Sequence, residues 1–225
     1  MNKLNIIYMG TPDFSVPALD ELNKNYNILA VVTQPDKEVG RKRQLKASPV
    51  KEYAINNNIK VFQPSKIRVD YKDILSLNPD IIITCAYGQI IPKEVLDYPK
   101  YGCVNIHASL LPKLRGGAPI HKAIINGYGE TGVTIMYMVE KMDAGDIISQ
   151  IDTPIFPNDN VGSLHDRLSE MGTKLLLDTI PNIVSGNINP IKQDEEEVTY
   201  AKNITREEEK IDFSRNTIDI YNQSI

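Results

Sequence analysis

Short apolar runs, each followed by a segment of helical periodicity, are the feature that most limits what this chain can fold into. The runs are almost wholly apolar rather than alternating, which is typical of strands buried on both faces of a parallel sheet. They occupy Leu4–Met9, Ile28–Thr33, Lys60–Phe62, Asp80–Ala86 and Cys103–His107. We therefore predict an α/β fold with a Rossmann-like, mostly parallel sheet and helices on both faces.

The second half of the chain predicts an edge to this sheet and one long helix. Gly132–Val139 and Asp146–Asp152 are expected as strands that extend the sheet as a mixed edge. Val161–Ser185 carries leucine and methionine at helical spacing, which predicts a single helix. Acidic runs replace apolar ones further on. We therefore place one domain at residues 1–189 and interpret residues 190–225 as a connector.

Composition excludes several functional classes. The net charge of −4 over 225 residues is not that of a general nucleic-acid binder, so no DNA partner is expected and RNA contact would need a local patch. No apolar stretch approaches the roughly 18 residues of a membrane span, and the N-terminus does not resemble a signal peptide. We expect a cytoplasmic monomer without a membrane partner.

The chain has two cysteines, Cys85 and Cys103, and each lies alone inside an apolar run. A disulfide framework or a metal knuckle needs more cysteines or closer spacing, so both are expected as buried free thiols. No group of His, Cys, Asp and Glu has the spacing of metal ligands either, and no metal is predicted.

Polar side chains end the last strand of the predicted parallel sheet. Asn105 and His107 are two residues apart, which places both on one face of the strand. Ligands of open parallel sheets bind beyond the carboxyl ends of the strands, so an amide and an imidazole would face one reaction space. They could equally be satisfied polar residues at a strand end. The Gly116-Gly117 loop with nearby prolines favours a ligand-binding loop.

A basic segment stands out against the acidic whole. Residues 36–51 hold two acids, Asp36 and Glu38, and six basic residues: Lys37, Arg41, Lys42, Arg43, Lys46 and Lys51. A local excess of positive charge is what contact with phosphates requires. A solvated surface loop would have the same composition, and both interpretations stay open on charge alone.

Two motifs in order identify a family. The first is Asn105-Ile106-His107, followed by Ser109-Leu110-Leu111-Pro112 and Arg115-Gly116, and the second is Thr131-Gly132-Val133-Thr134 with Asp143-Ala144-Gly145-Asp146. Together they resemble the formyltransferases that use 10-formyltetrahydrofolate. The resemblance implies formyl transfer to an amine, with Asn105, His107 and Asp143 as the catalytic residues. Without it, Asp143 would be interpreted as a turn residue, because Asp-Ala-Gly-Asp is common in turns.

Formyl transfer places definite demands on such a site. A neutral amine attacks the formyl carbon and an oxyanion develops, which needs hydrogen-bond donors. Asn105 offers an amide N–H, and a protonated His107 offers a charge-assisted donor. Asp143 is the candidate carboxylate that favours this form of His107 and positions a water for proton relay.

The resemblance also implies where the ligands bind. A folate slot would be lined on one side by Ser109, Leu110, Leu111 and Pro112, and on the other by Gln89, Ile90 and Ile91. Some of these residues could instead belong only to the core.

The segments Val32–Asp36 and Val198–Lys202 resemble the members that formylate the methionine carried by initiator tRNA. In those members the basic segment approaches the tRNA acceptor end, which implies Arg41, Lys42, Arg43 and Lys46 as tRNA contacts, Arg41 above all. A C-terminal β-barrel domain would follow the connector.

Three other functions compete with this one. The chain could formylate a small amine such as an amino-sugar nucleotide, against which the basic segment argues. A dinucleotide-binding oxidoreductase is disfavoured, because Gly10–Ser15 lacks the G-x-G-x-x-G fingerprint. A non-catalytic binding module is distinguished by whether Asn105, His107 and Asp143 converge in space.

Overall fold

A seven-stranded, mostly parallel sheet organises the chain, as predicted. The computed structural model describes residues 3–40 and 43–225. The strands are β1 (Asn5–Gly10), β2 (Asn27–Val32), β3 (Lys37–Val39), β4 (Gln44–Lys46), β5 (Val61–Phe62), β6 (Ile81–Cys85), β7 (Cys103–His107), β8 (Glu130–Tyr137) and β9 (Ile147–Pro154). The main sheet has the order β5-β2-β1-β6-β7-β8-β9. Its first five strands are parallel, whereas β8 and β9 pair antiparallel, which confirms the mixed edge.

Helices cover both faces of the sheet. They are α1 (Val16–Asn25), α2 (Pro49–Asn56), α3 (Lys72–Leu75), α4 (Lys93–Leu96), α5 (Pro119–Ile125), α6 (Val161–Ser185) and α7 (Thr217–Ser224). Within the described part of the chain, no helix has both the length and the apolar character that crossing a membrane requires.

The alternation of side chains along the central strands builds two cores. In β1, Ile6 and Tyr8 pack into the core on the face covered by α1 and α6. Ile7 and Met9 point the other way, into a core completed by α3 and α4. Successive side chains of a strand point to opposite faces, so an uninterrupted apolar run is what a sheet covered on both faces requires.

The long helix α6 lies against β7 and β8 at unusually close range. A Cβ on Gly172 would lie 2.9 Å from Ile106 Cγ2 and 3.1 Å from Val133 Cγ1, so glycine allows the close approach. Asn160 and Ser163 form a reciprocal capping box at the start of the helix, and Gly186, with φ 73°, ends it. The predicted helix bounds, Val161–Ser185, agree with the structure.

Several elements differ from the sequence-based expectation. The basic segment forms a two-stranded antiparallel hairpin of β3 and β4 rather than a loop. The helices α4, α5 and α7 were not anticipated. These helices span only four to eight residues, too short for apolar periodicity to distinguish them from loops.

The sheet topology fixes where a ligand can bind. The chain leaves β1 for β2 on one side and later returns to β6 on the other, which creates a switch point between β1 and β6. Ligands of open α/β sheets bind at the carboxyl ends of the strands near such a point. In register, Thr84 of β6 pairs with Asn105 of β7, and His107 of β7 pairs with Thr134 of β8.

Candidate active site

A cavity of about 980 Å³ opens at the carboxyl ends of β6 and β7. Its lining includes Asn105, His107 and Asp143, so the three residues singled out in the sequence share one space. The volume lies at the upper end of the range typical of small-molecule sites, roughly 300–1,000 Å³. The convergence argues against a binding module in which these residues are scattered.

The neighbouring strand fixes the orientation of the Asn105 amide. Thr84 Oγ1 donates a hydrogen bond of 2.7 Å to Asn105 Oδ1. Among the described residues, none accepts a hydrogen bond from Asn105 Nδ2, although the side chain lines the cavity. The arrangement therefore leaves an N–H donor available to a bound molecule.

Both ring nitrogens of the buried His107 have defined neighbours. Nε2 lies 3.0 Å from the carbonyl oxygen of Leu114. A carbonyl only accepts, so Nε2 carries a proton and donates it there. Nδ1 faces Asp143 Oδ2 at 3.8 Å, beyond hydrogen-bond range. Chemistry at His107 must therefore use Nδ1.

The two carboxylate oxygens of Asp143 have different surroundings. Its Oδ2 accepts a 2.8 Å hydrogen bond from the backbone N–H of Gly116. Its Oδ1 has no partner among the described residues, which leaves it free to bind a water or an amine proton. Gly116 is required at this position, because a Cβ there would lie 2.6 Å from the carbonyl oxygen of Ala201.

The folate residues predicted after β6 lie at the cavity, but they contribute differently. Ile90 is half exposed and Ile91 is nearly buried, and both line the cavity. Gln89 also lines it, yet its amide is engaged internally. Its Oε1 accepts from the Ile67 N–H at 2.8 Å, and its Nε2 donates to the carbonyl of Pro64 at 3.0 Å.

The other predicted folate residues, Ser109, Leu110, Leu111 and Pro112, are absent from the described lining of this cavity. Two of them, Ser109 and Leu111, are buried inside the loop. Ser109 is fully buried, and its hydroxyl donates to the Lys113 carbonyl at 2.6 Å. Leu111 packs against Met136 and Ile147. Val139 and Met142 also line the cavity, and both have exposed apolar side chains.

The hairpin of β3 and β4 carries the predicted RNA contacts. Arg41 and Lys42 lie outside the described residues. Arg43 is strongly exposed and lies 3.7 Å from Glu38 as a loose ion pair, and Lys46 is also exposed. At the base of the hairpin, Lys51 pairs with Asp36 at 2.6 Å and lowers the pKa of that carboxyl.

Some cavity residues were missed in the sequence. Thr84, which orients Asn105, lies on another strand, and no local pattern indicates it. His165 has no neighbouring motif in the sequence, but it lines the cavity and meets the Phe14 ring edge-on with ring centroids 5.2 Å apart. Burial, and then the charge of His165, lowers the pKa of His121, which also lines the cavity.

Both cysteines are buried free thiols, as predicted. Burial raises the pKa of the Cys85 thiol to about 12, so it is a poor nucleophile. In the part of the chain that the structure describes, no three His, Cys, Asp or Glu residues are grouped as metal ligands would be.

The family model described as formyl transferase matches residues 2–180. Among curated proteins, the methionyl-tRNA formyltransferase of Geobacillus sp. (strain WCH70) is 60% identical over 222 residues, which cover 97% of this chain and 70% of the relative. The methionyl-tRNA formyltransferase of Bacillus subtilis (strain 168) is 57% identical, with the same coverage of each chain.

Solved structures with the same fold include two formyltransferases. An N-formyltransferase from Helicobacter canadensis, in complex with folinic acid and dTDP-3-aminofucose, superposes with a TM-score of 0.74 at 26% identity, covering 99% of this chain and 79% of that one. A methionyl-tRNA formyltransferase from Clostridium thermocellum gives a TM-score of 0.65 at 21% identity, covering 98% of this chain and 81% of that one.

Proposed function

The chain belongs to the formyl transferase family, and we propose that it moves the formyl group of 10-formyltetrahydrofolate onto the amino group of methionyl-initiator tRNA. The products are N-formylmethionyl-tRNA and tetrahydrofolate. The observation that carries the proposal is the convergence of Asn105, His107 and Asp143 in one cavity. The identity of 55–60% to methionyl-tRNA formyltransferases supports the tRNA substrate. A charged initiator tRNA as substrate makes the cytoplasm the proposed compartment.

Asn105 and His107 stabilise the charge that develops when the amine attacks. Thr84 holds the Asn105 carbonyl, so the Nδ2 N–H points to the formyl oxygen. His107 donates from Nδ1, because Leu114 already engages Nε2. Two preoriented donors cost no reorganisation when the oxyanion forms, and removing one such donor typically costs about 10²–10³ in rate.

Asp143 assists the transfer of protons. The amine loses one proton after attack, and the departing folate nitrogen takes one up. Oδ1 of Asp143 is free to hold a water that passes the proton between them, while Oδ2 stays fixed by Gly116. The same carboxylate faces His107 Nδ1 at 3.8 Å, so both groups border one reaction space.

The apolar walls fit a flat pteridine. Ile90, Val139 and Met142 line the cavity with exposed apolar surface, and such walls with a few polar contacts suit an aromatic ligand. We therefore propose that folate lies between the segments 86–91 and 138–143, beside Asp143.

The hairpin of β3 and β4 is the proposed contact for tRNA. Its exposed Arg43 and Lys46, with Arg41 and Lys42 on sequence grounds, supply positive charge for phosphates. We also keep the proposal that residues 1–189 form the catalytic domain and that 190–225 serve as a connector.

The deciding experiment supplies the full chain with 10-formyltetrahydrofolate and, in parallel, methionyl-initiator tRNA or a dTDP-amino sugar. The proposal expects formylation of the tRNA, with kcat/KM at least about 100-fold higher than for the sugar. Preferred formylation of the sugar would assign the chain to the small-amine branch. No formylation of either would refute the proposed function.

A further inference from the structure

The side chain of Gln193, in the connector, bonds to two loops that border the active site. Its Nε2 donates to two backbone carbonyls, that of Asp143 at 2.8 Å and that of Gly145 at 2.7 Å. Its Oε1 accepts a 2.9 Å hydrogen bond from Arg115 Nε. A single amide thus joins the turn that carries Asp143 to the loop that follows β7.

The turn at Asp143 needs such support. Asp143 adopts φ 49°, in the left-handed region that costs a non-glycine residue roughly 1 kcal/mol or more. Gly145 packs so tightly that a Cβ would lie 1.8 Å from the Tyr137 carbonyl oxygen. The two hydrogen bonds from Gln193 hold the carbonyls at both ends of this turn, and they fix the direction in which the Asp143 carboxylate leaves the backbone.

The second half of the connection is the Arg115 side chain, which is fully buried. Its two terminal nitrogens donate to Glu195 Oε1 at 3.1 and 3.0 Å, and Lys141 pairs with Glu195 Oε2 at 2.6 Å. The backbone strengthens the contact, because Arg115 N–H donates to the Thr199 carbonyl and Ala201 N–H donates to the Arg115 carbonyl. The segment 193–201 therefore holds both loops that surround His107 and Asp143.

We propose that Gln193 is a positioning residue for formyl transfer, which acts by holding the Asp143 turn so that the carboxylate faces His107 Nδ1 and the reacting amine. Gln193 itself lies outside the described cavity lining, so it acts through Asp143 and not on the substrate. The inference rests on the proposed function, because its consequence is measured in that reaction. It gives the connector a role in positioning the catalytic residues.

The chain offers a matched control. Gln223, in α7, also donates from one Nε2 to two backbone carbonyls, those of Glu208 and Lys210, each at 2.8 Å. Both glutamines are half-buried and both bridge a turn, but the carbonyls that Gln223 holds belong to residues outside the cavity lining, whereas Gln193 holds the carbonyl of Asp143, which lines the cavity. A loss of stability from removing such a bridge should also appear in Gln223→Met. A loss of kcat should appear only in the Gln193 variants.

The test compares Gln193→Met, Gln193→Glu and Gln223→Met in the formylation of methionyl-initiator tRNA. Gln193→Glu keeps an acceptor for Arg115 but loses both donors to the carbonyls, so it isolates the contacts at the Asp143 turn. A misplacement of about 1 Å costs up to roughly 100-fold in rate. We expect kcat to fall about 10- to 100-fold in both Gln193 variants, with KM for 10-formyltetrahydrofolate within about 3-fold of wild type. Gln223→Met should keep the wild-type kcat.

A double-mutant cycle separates positioning from general damage. If Gln193 acts through Asp143, Gln193→Met should slow Asp143→Asn by less than about 2-fold. A double variant whose fold-loss in rate equals the product of the two single losses would overturn the proposal. Wild-type kcat in Gln193→Glu would also overturn it. An inactive wild-type chain would instead refute the proposed function, so the two failures are distinguishable.

Discussion

Two arginine–carboxylate clusters in this molecule use the same chemistry in opposite arrangements. In the site cluster, Arg115 is fully buried and its partner Glu195 is 58% exposed. In the helix cluster, Asp159 is the buried member, 6% exposed, and Arg167 is 27% exposed. Asp159 accepts from both terminal nitrogens of Arg167, at 2.9 and 2.6 Å, one on each oxygen.

This difference in burial indicates a different role for each cluster. The helix cluster satisfies a buried carboxylate before α6, where Ser163 Oγ also donates to Asp159, so it stabilises the fold at the start of that helix. The site cluster satisfies a buried cation between two loops, and the arginine donors reach Gln193 and, through it, the Asp143 turn. We therefore expect the site cluster to govern activity and the helix cluster to govern stability.

Among substitutions in the two clusters, exchange of arginine for lysine should have the largest effect. Lysine keeps the charge but loses the forked donors, so the exchange is not conservative at a multiply bonded site. Arg115→Lys removes the bond to Gln193 and should lower kcat about 10- to 100-fold. Arg167→Lys should leave kcat unchanged and lower the Tm by a few degrees, since about 1 kcal/mol corresponds to roughly 2–4 °C at this chain length. Steady-state formylation assays and thermal melts of both variants measure this, and equal loss of kcat in the two would break the comparison.

A smaller effect concerns acid stability. Hydrogen bonds from Arg167, followed by those from Phe156 and Ser163, lower the pKa of Asp159 to about 2 against the opposing effect of burial. A depressed folded-state pKa contributes stability that is present above the unfolded pKa of about 4 and is lost as the pH falls toward 2. Asp159→Asn should therefore cost about 1–2 kcal/mol at pH 7 and progressively less below pH 4. Denaturant unfolding of both proteins from pH 7 to pH 3 checks this, and a cost that does not change with pH would contradict it.

The smallest effect should come from Glu195→Gln. Hydrogen bonds from Lys141 and then Arg115 lower the pKa of Glu195, but the side chain is largely in solvent and its charge is screened. An amide oxygen still accepts from Arg115. We expect kcat within about 3-fold of wild type and a Tm change of no more than about 2 °C. A large loss of kcat would show that the charge of Glu195, and not the donors of Arg115, holds the site.

Much of the fold could be predicted because its signals are local. The runs that became β1, β2, β6 and β7 are largely apolar, and their bounds agree to within one or two residues with the structure. The hairpin of β3 and β4 gave no such signal. Its strands have three residues each and their described side chains are exposed, so no apolar pattern marks them.

The site was predictable in its chemistry but not in its support. Asn105, His107 and Asp143 lie in motifs that can be recognised without a structure, and the structure brings them to one cavity. Thr84 and Gln193 are bonded to residues 21 and 50 positions away, and Arg115 to one 78 positions away. Such pairs are set by the packing of loops, which local spacing does not encode. Ser109 and Leu111, which the motif places at a folate slot, also make contacts inside the loop that local spacing does not indicate.

The central claim is that Asp143, held beside His107, carries out proton transfer in formylation. Single-turnover formylation of methionyl-initiator tRNA by Asp143→Asn, with 10-formyltetrahydrofolate binding measured in parallel, tests it most directly. Asparagine keeps the size of the side chain and an oxygen for the Gly116 N–H but cannot take up the proton. We predict a rate reduced at least about 10³-fold, with folate affinity and Tm close to wild type. A rate within about 10-fold of wild type would contradict the account.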